Sequence, residues 1–321
     1  MSQETTIPVT ILTGFLGAGK TTLLNKLLDD MREQKVAVII NEFGDTSIDS
    51  HLVVSTKEEI IEINSGCICC NVRGDLIDLL SSWMQQKEPL DRVIIETTGM
   101  ANPAPVIQTF LMDEQTATSF EIDSIITMVD AKHIWQHLEE EEPEQQIAFA
   151  DILLLNKIDL ITEEEQKELD KQLLRMNPNA KRYYTAYANV DTEDLIGTKS
   201  FDLDNVLNID PNLLTEAHHH HHNHHVTSFV FREDRPLDLD KVNKWFAYLV
   251  HIKGESLYRY KGVLFIKQLD RKVVFQGVHM LFAGTEGEVW AKDEKRQSEV
   301  VFIGKQLDYQ ELEKGFRYCL A

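Results

Sequence analysis

The sequence predicts an α/β protein: a wound, mostly parallel sheet with helices, followed by a smaller α+β domain. The first observation is that short runs of apolar residues alternate with helical spacing over the first two thirds of the chain. Such continuous runs are typical of parallel strands that are covered on both faces. The second observation is a change after residue 196, where weak periodicity and many histidines precede further strand patterns. The length of 321 residues suits about two domains.

The first domain is predicted to contain short strands at residues 8–13, 36–40, 59–63, 93–95, 125–129 and 152–155. Two segments, 22–32 and 75–85, have the spacing of helices. In the first of these helices, the residues expected to face the core are Leu23, Leu24, Leu27 and Leu28. Strands and helices alternating in this order predict a wound sheet.

The rest of the chain is predicted to form a linker and a second domain. Predicted strands lie at 226–231, 263–266, 273–278 and 300–303, and they suggest a mostly antiparallel sheet. Predicted helices lie at 238–250 and 309–319, and one face of the former carries Val242, Trp245, Phe246 and Leu249. We therefore expect a domain over 1–196, a linker with the histidines over 197–225, and a C-terminal α+β domain over 226–321.

Composition excludes several classes of function. The chain has 32 Lys and Arg against 53 Asp and Glu, a net charge of −21. This excess argues against a general nucleic-acid binder and against docking on anionic lipid. No apolar run reaches the roughly 18 residues of a membrane span, and residues 1–6 show no signal-peptide pattern. We expect a cytoplasmic protein with no membrane partner.

A phosphate-binding loop is predicted between the first strand and the first helix. Residues 14–21, the phosphate loop, match G-x-x-x-x-G-K-[ST] in that required context. Lys20 should reach the β- and γ-phosphates, and the Thr21 hydroxyl should bind Mg²⁺. The candidate nucleotide contacts of this region are Gly14, Gly17, Ala18, Gly19, Lys20, Thr21 and Thr22.

A second motif, residues 156–159, indicates which base is bound. We call it the base loop; it reads Asn-Lys-Ile-Asp and follows the strand at 152–155, on the same edge of the sheet as the phosphate loop. Asp159 can accept two hydrogen bonds from the guanine edge, which adenine cannot donate, and the stem of Lys157 can lie along the base. With Asn156, these residues predict GTP.

Two further loops are expected near the γ-phosphate. One runs from Asn41 to Asp49, and the other contains Glu96, Thr97, Thr98 and Gly99. Glu96 or Asp49 could hold Mg²⁺ or a bridging water, and Gly99 allows close approach of the backbone to a phosphate oxygen. We expect Lys20, Thr21 and Glu96 to be catalytic. Hydrolysis should be slow, because the sequence identifies neither a water-orienting glutamine nor an arginine finger.

Two groups of soft or borderline ligands predict metal binding. The cysteine cluster, Cys67, Cys69 and Cys70, offers three thiolates, and it suits a metal or redox site in a reducing compartment. Three sulfurs leave a tetrahedral site incomplete, so a fourth ligand could come from Glu42, Asp45, water, the histidines or a client protein. The histidine tract comprises His218, His219, His220, His221, His222, His224 and His225. Tracts of this kind bind several divalent ions.

The motifs together resemble those of the CobW-family metallochaperone GTPases. The resemblance rests on the phosphate loop and on residues 41–44, 67–70, 96–99 and 156–159, in that order. It covers residues 7 to 190 and extends to residues 259–266 and the last strand. It implies a P-loop GTPase domain with slow GTP hydrolysis, and delivery of Zn²⁺ to client metalloproteins. Other members of the family are linked to cobalt or iron.

The chain departs from the family pattern at two positions. Thr98 stands where the family often has serine, and Ile40 stands where some members carry an acid, so a metal site in this chain does not use that acid. The histidine tract resembles that of members tied to zinc supply, which favours zinc.

Alternative functions stay open at this point. The chain could store or buffer metal with incidental GTP turnover, or deliver cobalt in cobalamin biosynthesis. A P-loop kinase acting on a small molecule is a third alternative, although residues 156–159 weigh against it. The expected partners are GTP, a divalent metal and a client metalloprotein, and a homo-oligomer is left open.

Overall fold

The computed structural model describes residues 6–42, 59–64, 72–84, 90–99, 101–138, 140–201 and 226–321. It contains two compact units. The first unit comprises the described residues up to Leu169 together with Ala180–Phe201, and the second comprises Asp170–Asn179 and the described residues from 226 onward. Within the described part of the chain, no helix has both the length and the apolar character needed to span a membrane.

The first unit is built on a parallel sheet. Its strands are β1 Ile7–Gly14, β2 Val36–Glu42, β3 Glu59–Asn64, β4 Arg92–Thr97, β5 Phe120–Asp130, β6 Ile152–Asn156 and β7 Lys181–Tyr184. The helices are α1 Lys20–Asp30, α2 Val72–Met84, α3 Ala104–Met112, α4 Glu114–Ser119, α5 Glu141–Phe149 and the beginning of α6 Glu163–Met176, whose residues from Asp170 onward fall in the second unit. The seven strands lie in the order β3-β2-β4-β1-β5-β6-β7, and every pair is parallel. The carboxyl ends of all seven therefore point to one edge.

The core of this unit confirms the predicted pattern of the first helix. Leu23, Leu24, Leu27 and Leu28 of α1 are buried. They pack with alternate residues of the central strands, including Leu12, Ile94 and Ile126. Because strand residues alternate between faces, Leu12 and its counterparts face α1, while Thr13 and Thr127 point to the opposite face of the sheet.

The second unit pairs an antiparallel sheet with two helices. Its elements are β8 Val226–Glu233, α7 Leu239–Lys253, β9 Leu257–Leu264, β10 Arg271–Val278, β11 Leu281–Val289, β12 Ser298–Lys305 and α8 Tyr309–Tyr318. The five strands lie in the order β11-β10-β9-β12-β8, and all pairs are antiparallel. The predicted inner face of α7 is confirmed: Val242, Trp245, Phe246 and Leu249 are the buried residues of that helix. They form one core with strand residues such as Tyr260 and Phe302.

Three strand predictions were wrong or missing. The run predicted at 263–266 overlaps only the last two residues of β9, which begins six residues earlier at Leu257 and includes Arg259 and Lys261. These charged residues hide the strand from a reading based on apolar runs. β11 was missed because most of its side chains are exposed and it lies at the sheet edge, paired only with β10. β7 is a four-residue edge strand with partly exposed side chains.

Residues 197–201, which the sequence assigned to the linker, pack on the first unit. The Asp123 carboxylate on β5 accepts hydrogen bonds from the backbone N–H groups of Gly197 (2.6 Å) and Lys199 (2.7 Å). It also pairs with the Arg92 guanidinium at 2.7 Å, and both side chains are almost fully buried. Phe201 is buried, and its N–H donates to the Asp123 carbonyl oxygen. One buried carboxylate thus fixes this segment.

The Asp123 contacts predict a large effect on stability. Asp123→Asn should lower the free energy of unfolding by about 3 kcal/mol, because it leaves the buried Arg92 charge uncompensated. Urea unfolding would measure the loss. The control is Glu121→Gln on the same strand, where an exposed carboxylate lies 3.8 Å from Lys199 Nζ and should contribute less than about 1 kcal/mol. Equal losses in the two variants would contradict this account.

Candidate nucleotide-binding site

The sheet brings the predicted nucleotide residues to one edge. Residue Glu96 of β4 lies opposite Leu12 of β1, two residues before Gly14 begins the phosphate loop. On the other side, Gly14 is paired with Met128 of β5, and Asp130 of β5 is paired with Asn156 of β6. The phosphate loop, the turn after β4 and the base loop therefore leave neighbouring strands at the same end. Ligands of wound sheets bind at this end.

The glycines of the phosphate loop occupy conformations that a side chain would prevent. Gly14 has φ 134°, and a Cβ atom there would lie 2.3 Å from the Met128 carbonyl oxygen. Gly19 has φ 108°, and a Cβ atom there would lie 2.6 Å from Asn156 Nδ2. Gly17 has φ 75° and faces open space. Gly14 and Gly19 allow the loop to pack against its neighbours, while Gly17 leaves room for a ligand.

Lys20 lies at the beginning of α1 and folds back over the loop. Its side chain is buried, and Nζ donates to the carbonyl oxygens of Gly14 (2.8 Å) and Phe15 (3.4 Å). The first residue before α1 is Gly19, which provides no side-chain cap. Helix N-termini attract anions, because the helix dipole favours negative charge there. Thr21 is half-buried, and Thr22 is exposed on that turn.

Asn156 ties the base loop to the phosphate loop. Its amide Nδ2 donates to the Ala18 carbonyl oxygen (2.9 Å), and its Oδ1 accepts from the Ala188 backbone N–H (3.0 Å). The Thr185 carbonyl oxygen accepts from Ile158 N–H, which joins the segment after β7 to the base loop. One buried side chain thus fixes two loops that the sequence assigned to different parts of the nucleotide. This role of Asn156 was not predicted.

Lys157 is held by an acid that the sequence analysis missed. Lys157 has φ 63°, a left-handed conformation, and its Nζ lies 2.7 Å from Asp130 Oδ2. Asp130 also accepts from His133 Nδ1 and from the N–H groups of residues 132 and 133. Burial raises the pKa of Asp130, but the hydrogen bonds from Lys157 and His133 outweigh it and hold the pKa below its ordinary value of 3.8. Asp159, the predicted guanine acceptor, is exposed at the site's edge.

The turn after β4 lies against the phosphate loop. A Cβ atom at Gly99 would lie 2.6 Å from the backbone nitrogen of Leu16, so only glycine permits this approach. Glu96 is buried at the end of β4. The hydroxyl oxygens of Thr97 and Thr98 are buried and have no hydrogen-bond partner among the described residues. Orphaned polar atoms of this kind indicate a missing partner, such as water or a ligand.

Gln146 is a further polar residue that the sequence did not indicate. It lies on α5, 1% exposed, and its amide Nε2 donates to the carbonyl oxygens of Gly99 and Ala101, both at 3.1 Å. No motif surrounds it, and the contact joins residues 47 positions apart. The helix reads Glu-Glu-Pro-Glu-Gln-Gln-Ile-Ala-Phe, and among its many polar residues nothing in the sequence distinguishes Gln146.

The predicted metal ligands and one predicted nucleotide contact lie outside the described residues. They are Asp49, Cys67, Cys69, Cys70, His218, His219, His220, His221, His222, His224 and His225. The backbone on either side of the cysteine cluster is described: β3 ends at Asn64, which is paired with Glu42 at the end of β2, and α2 begins at Val72. Among the described residues, no group of three or more His, Cys, Asp or Glu side chains could hold a metal ion.

A phosphate loop between β1 and α1 of a wound parallel sheet defines a P-loop nucleotide-binding protein. The model of the CobW/HypB/UreG nucleotide-binding domain matches residues 8–183, and that of the cobalamin synthesis protein CobW C-terminal domain matches residues 226–320. The chain belongs to this CobW/HypB/UreG family, and it carries the CobW C-terminal domain.

Individual proteins resemble the chain over nearly its full length. It is 37% identical to the zinc chaperone YjiA of Escherichia coli over 316 residues, which cover 97% of this chain and 98% of YjiA. The crystal structure of Zn(II)-bound YjiA GTPase from E. coli matches with a TM-score of 0.77, 32% identity, and coverage of 99% of this chain and 100% of YjiA. A Zn(II)-bound triple mutant of the YjiA GTPase, with one glutamate and two cysteines changed to alanine, matches with a TM-score of 0.79, 31% identity and the same coverage.

The hydrogen bonds of Asp130 predict a pH-dependent contribution to stability. Asp130→Asn should lower the free energy of unfolding at pH 7 by about 2 kcal/mol, because Lys157 and His133 lose a charged acceptor. Since the pKa of the folded state is below 3.8, the contribution is complete above that pH and is lost as pH falls through the lower value.

Urea unfolding of both proteins at pH 7, 5 and 3.5 would measure this dependence. The exposed Asp78, changed to asparagine, is the control and should have little effect at any of these pH values. A difference between the wild type and Asp130→Asn that is already lost at pH 5 would contradict the lowered pKa.

Proposed function

We propose that the chain is a GTP-hydrolysing metallochaperone, which binds Zn²⁺ through the cysteine cluster and delivers it to client metalloproteins according to the nucleotide bound. One observation supports the link between the two ligands above all. β3, the strand that leads into the cysteine cluster, ends on the same edge of the parallel sheet as the phosphate loop. The E. coli relative named as a zinc chaperone and as a GTPase supports both activities.

The nucleotide is GTP in this proposal. Lys20 binds the β- and γ-phosphates, and its ammonium exchanges the carbonyl oxygens of Gly14 and Phe15 for phosphate oxygens. The N–H groups of the phosphate loop, including those of Gly17, Ala18 and Gly19, surround the phosphates, and Thr22 lies on the adjoining turn. Asp159 accepts from the guanine edge, and Asn156 holds its loop in place. The stem of Lys157 covers the base, with its ammonium fixed by Asp130.

The residues at this edge also fit Mg²⁺. The orphaned hydroxyl oxygens of Thr97 and Thr98, beside the phosphate loop, indicate that a hydrated ligand belongs there. Thr21 and Glu96 would hold the ion, directly or through water, with Asp49 as a further candidate. The ion would neutralise charge that develops on the phosphate oxygens during transfer to water. Gly99 contributes a backbone N–H near the γ-phosphate.

The zinc ligands in this proposal are Cys67, Cys69 and Cys70, with a fourth ligand from Glu42, Asp45, water, the histidine tract or a client protein. Glu42 is the last residue of β2 and is paired with Asn64, three residues before the cysteines begin. A YjiA triple mutant that lacks one glutamate and two cysteines is still Zn(II)-bound. Zinc in that relative is therefore also held without those side chains, so a test here must resolve the tightest site from weaker ones.

A storage or buffering protein is the second candidate, because seven of the eight residues at 218–225 are histidine. Histidine-rich tracts bind several divalent ions without geometric selection. This candidate predicts several zinc ions per chain, mostly lost on deletion of 218–225, and GTP turnover that does not respond to metal. The chaperone predicts one tight ion that remains after the deletion.

The proposal is tested by GTP turnover with a panel of Zn²⁺, Co²⁺, Ni²⁺ and Fe²⁺, with bound metal quantified in the GDP and GTP-analogue states. We expect zinc to change turnover and one tight ion to depend on the nucleotide. Lys20→Ala should bind no nucleotide and serves as the blank. Turnover that is indifferent to every metal, with several ions bound in both states, would instead support the buffering protein.

Base selectivity tests the role of Asp159. Asp159→Asn should weaken GTP binding at least about tenfold, since a neutral amide can no longer accept both guanine donors. XTP binding should improve, because xanthine presents an oxygen where guanine presents its amino group. Competition of GTP, XTP and ATP against a fluorescent GDP would measure the change. The control is Glu163→Gln at the start of α6, and unchanged GTP affinity in Asp159→Asn would refute the assignment.

Removal of one thiolate tests the metal site. Cys69→Ala should weaken the tightest zinc site by about 3 kcal/mol, more than a hundredfold, measured by competition with a chelator of known affinity. Cys319→Ala is the control: burial raises the pKa of that thiol to about 12, so it offers no thiolate at neutral pH. Unaltered zinc affinity in Cys69→Ala would support the alternative that the three cysteines are buried packing residues and bind no metal.

A further inference from the structure

Gln146 of α5 holds the turn that follows β4 by both of its amide hydrogens. The amide nitrogen lies 3.1 Å from the Gly99 carbonyl oxygen and 3.1 Å from the Ala101 carbonyl oxygen. The turn itself is closed by a hydrogen bond from Ala101 N–H to the Thr98 carbonyl oxygen. A single side chain therefore fixes the backbone on both sides of residue 100.

The helix that carries Gln146 is itself fixed to the sheet. The Thr127 hydroxyl of β5 donates to the Gln146 carbonyl oxygen at 2.8 Å. α5 packs on β1 and β5, on the face of the sheet opposite α1. Gln146 is 1% exposed, so its amide has no access to bulk water as an alternative partner. The turn after β4 is thus held by α5, which packs on both β1 and β5.

The supported turn lies directly against the phosphate loop. Gly99 approaches Leu16 so closely that a Cβ atom would lie 2.6 Å from the Leu16 nitrogen. Gln146 also borders a pocket whose other walls include Phe15, Leu16 and Met128. A shift of the amide would therefore move Gly99 relative to the phosphate loop, and with it the N–H expected to face the γ-phosphate.

We propose that Gln146 is a positioning residue for the γ-phosphate, which holds the Gly99 turn in place before the nucleotide arrives. This inference rests on the proposed function, since it assigns a role at the same GTP site. Ordering a mobile turn costs free energy on binding, and preorganisation removes that cost. Because GDP lacks the γ-phosphate, the benefit applies to GTP alone. Both amide hydrogens are donated to backbone carbonyl oxygens, so Gln146 acts through the turn and has no amide hydrogen left to donate to the nucleotide.

The experiment measures the ratio of the GDP and GTP-analogue dissociation constants, with Mg²⁺, in three proteins. They are the wild type, Gln146→Met, and the control Gln145→Met. Met has nearly the length of Gln but no donor. Gln145 lies on the same helix, is buried, and donates within the helix to Glu141 at 3.2 Å. We expect Gln146→Met to bind GDP as the wild type does, to bind the analogue about tenfold more weakly, and to hydrolyse GTP correspondingly more slowly at subsaturating concentration. Gln145→Met should keep the wild-type ratio.

Other outcomes overturn the proposal. Equal loss of GDP and analogue binding would make Gln146 a structural residue only. Stronger analogue binding would mean that Gln146 holds the Gly99 turn away from the position that contacts the γ-phosphate. If Gln146→Met fails to fold, Thr127→Val is the second variant, because it removes only the hydroxyl that anchors Gln146 and should weaken analogue binding alone, about threefold. Failure of the wild type to bind GTP would refute the proposed function, whereas an unchanged ratio in a GTP-binding wild type would refute only this role of Gln146.

Discussion

Parallel pairing of the strands around β1 is the constraint on which the site depends. It sends the carboxyl ends of β2, β3, β4, β5 and β6 to the edge where the phosphate loop begins. The phosphate loop, the turn after β4 and the base loop are far apart in sequence, and the parallel sheet alone is enough to bring them to the same edge. The strands supply positions, and short polar contacts at their ends then set the geometry.

Three buried side chains convert this shared edge into one connected surface. Asn156 joins the base loop to Ala18 of the phosphate loop, Asp130 fixes the ammonium of Lys157, and Gln146 holds Gly99. Each satisfies backbone or charged groups that burial would otherwise leave unpaired, which is costly in the interior. Each also links two segments at the edge where the nucleotide loops lie. The ends of β2 and β3 lie on this edge too, which supports the proposed link between metal and nucleotide.

The sequence predicted those parts of the molecule whose chemistry is local. Gly14, Lys20 and Asn156 lie in short motifs, and the leucines of α1 repeat at helical spacing, so each was identified from its own segment. The bonds of Gln146 and Asp130 join residues far apart, and only the folded chain shows them. β11 escaped prediction because an exposed edge strand is held by backbone pairing with β10, which leaves little pattern in its side chains.

The central claim is that zinc affinity depends on the nucleotide, and reciprocal titration tests it most directly. Zinc would be titrated with a chelator competitor into the protein saturated with GDP or with a non-hydrolysable GTP analogue, and each nucleotide would be titrated with and without zinc. The account predicts tighter zinc binding in the triphosphate state, by about tenfold or more, and the same factor in the converse titration, as linkage requires. Equal zinc affinities in the two nucleotide states would contradict it.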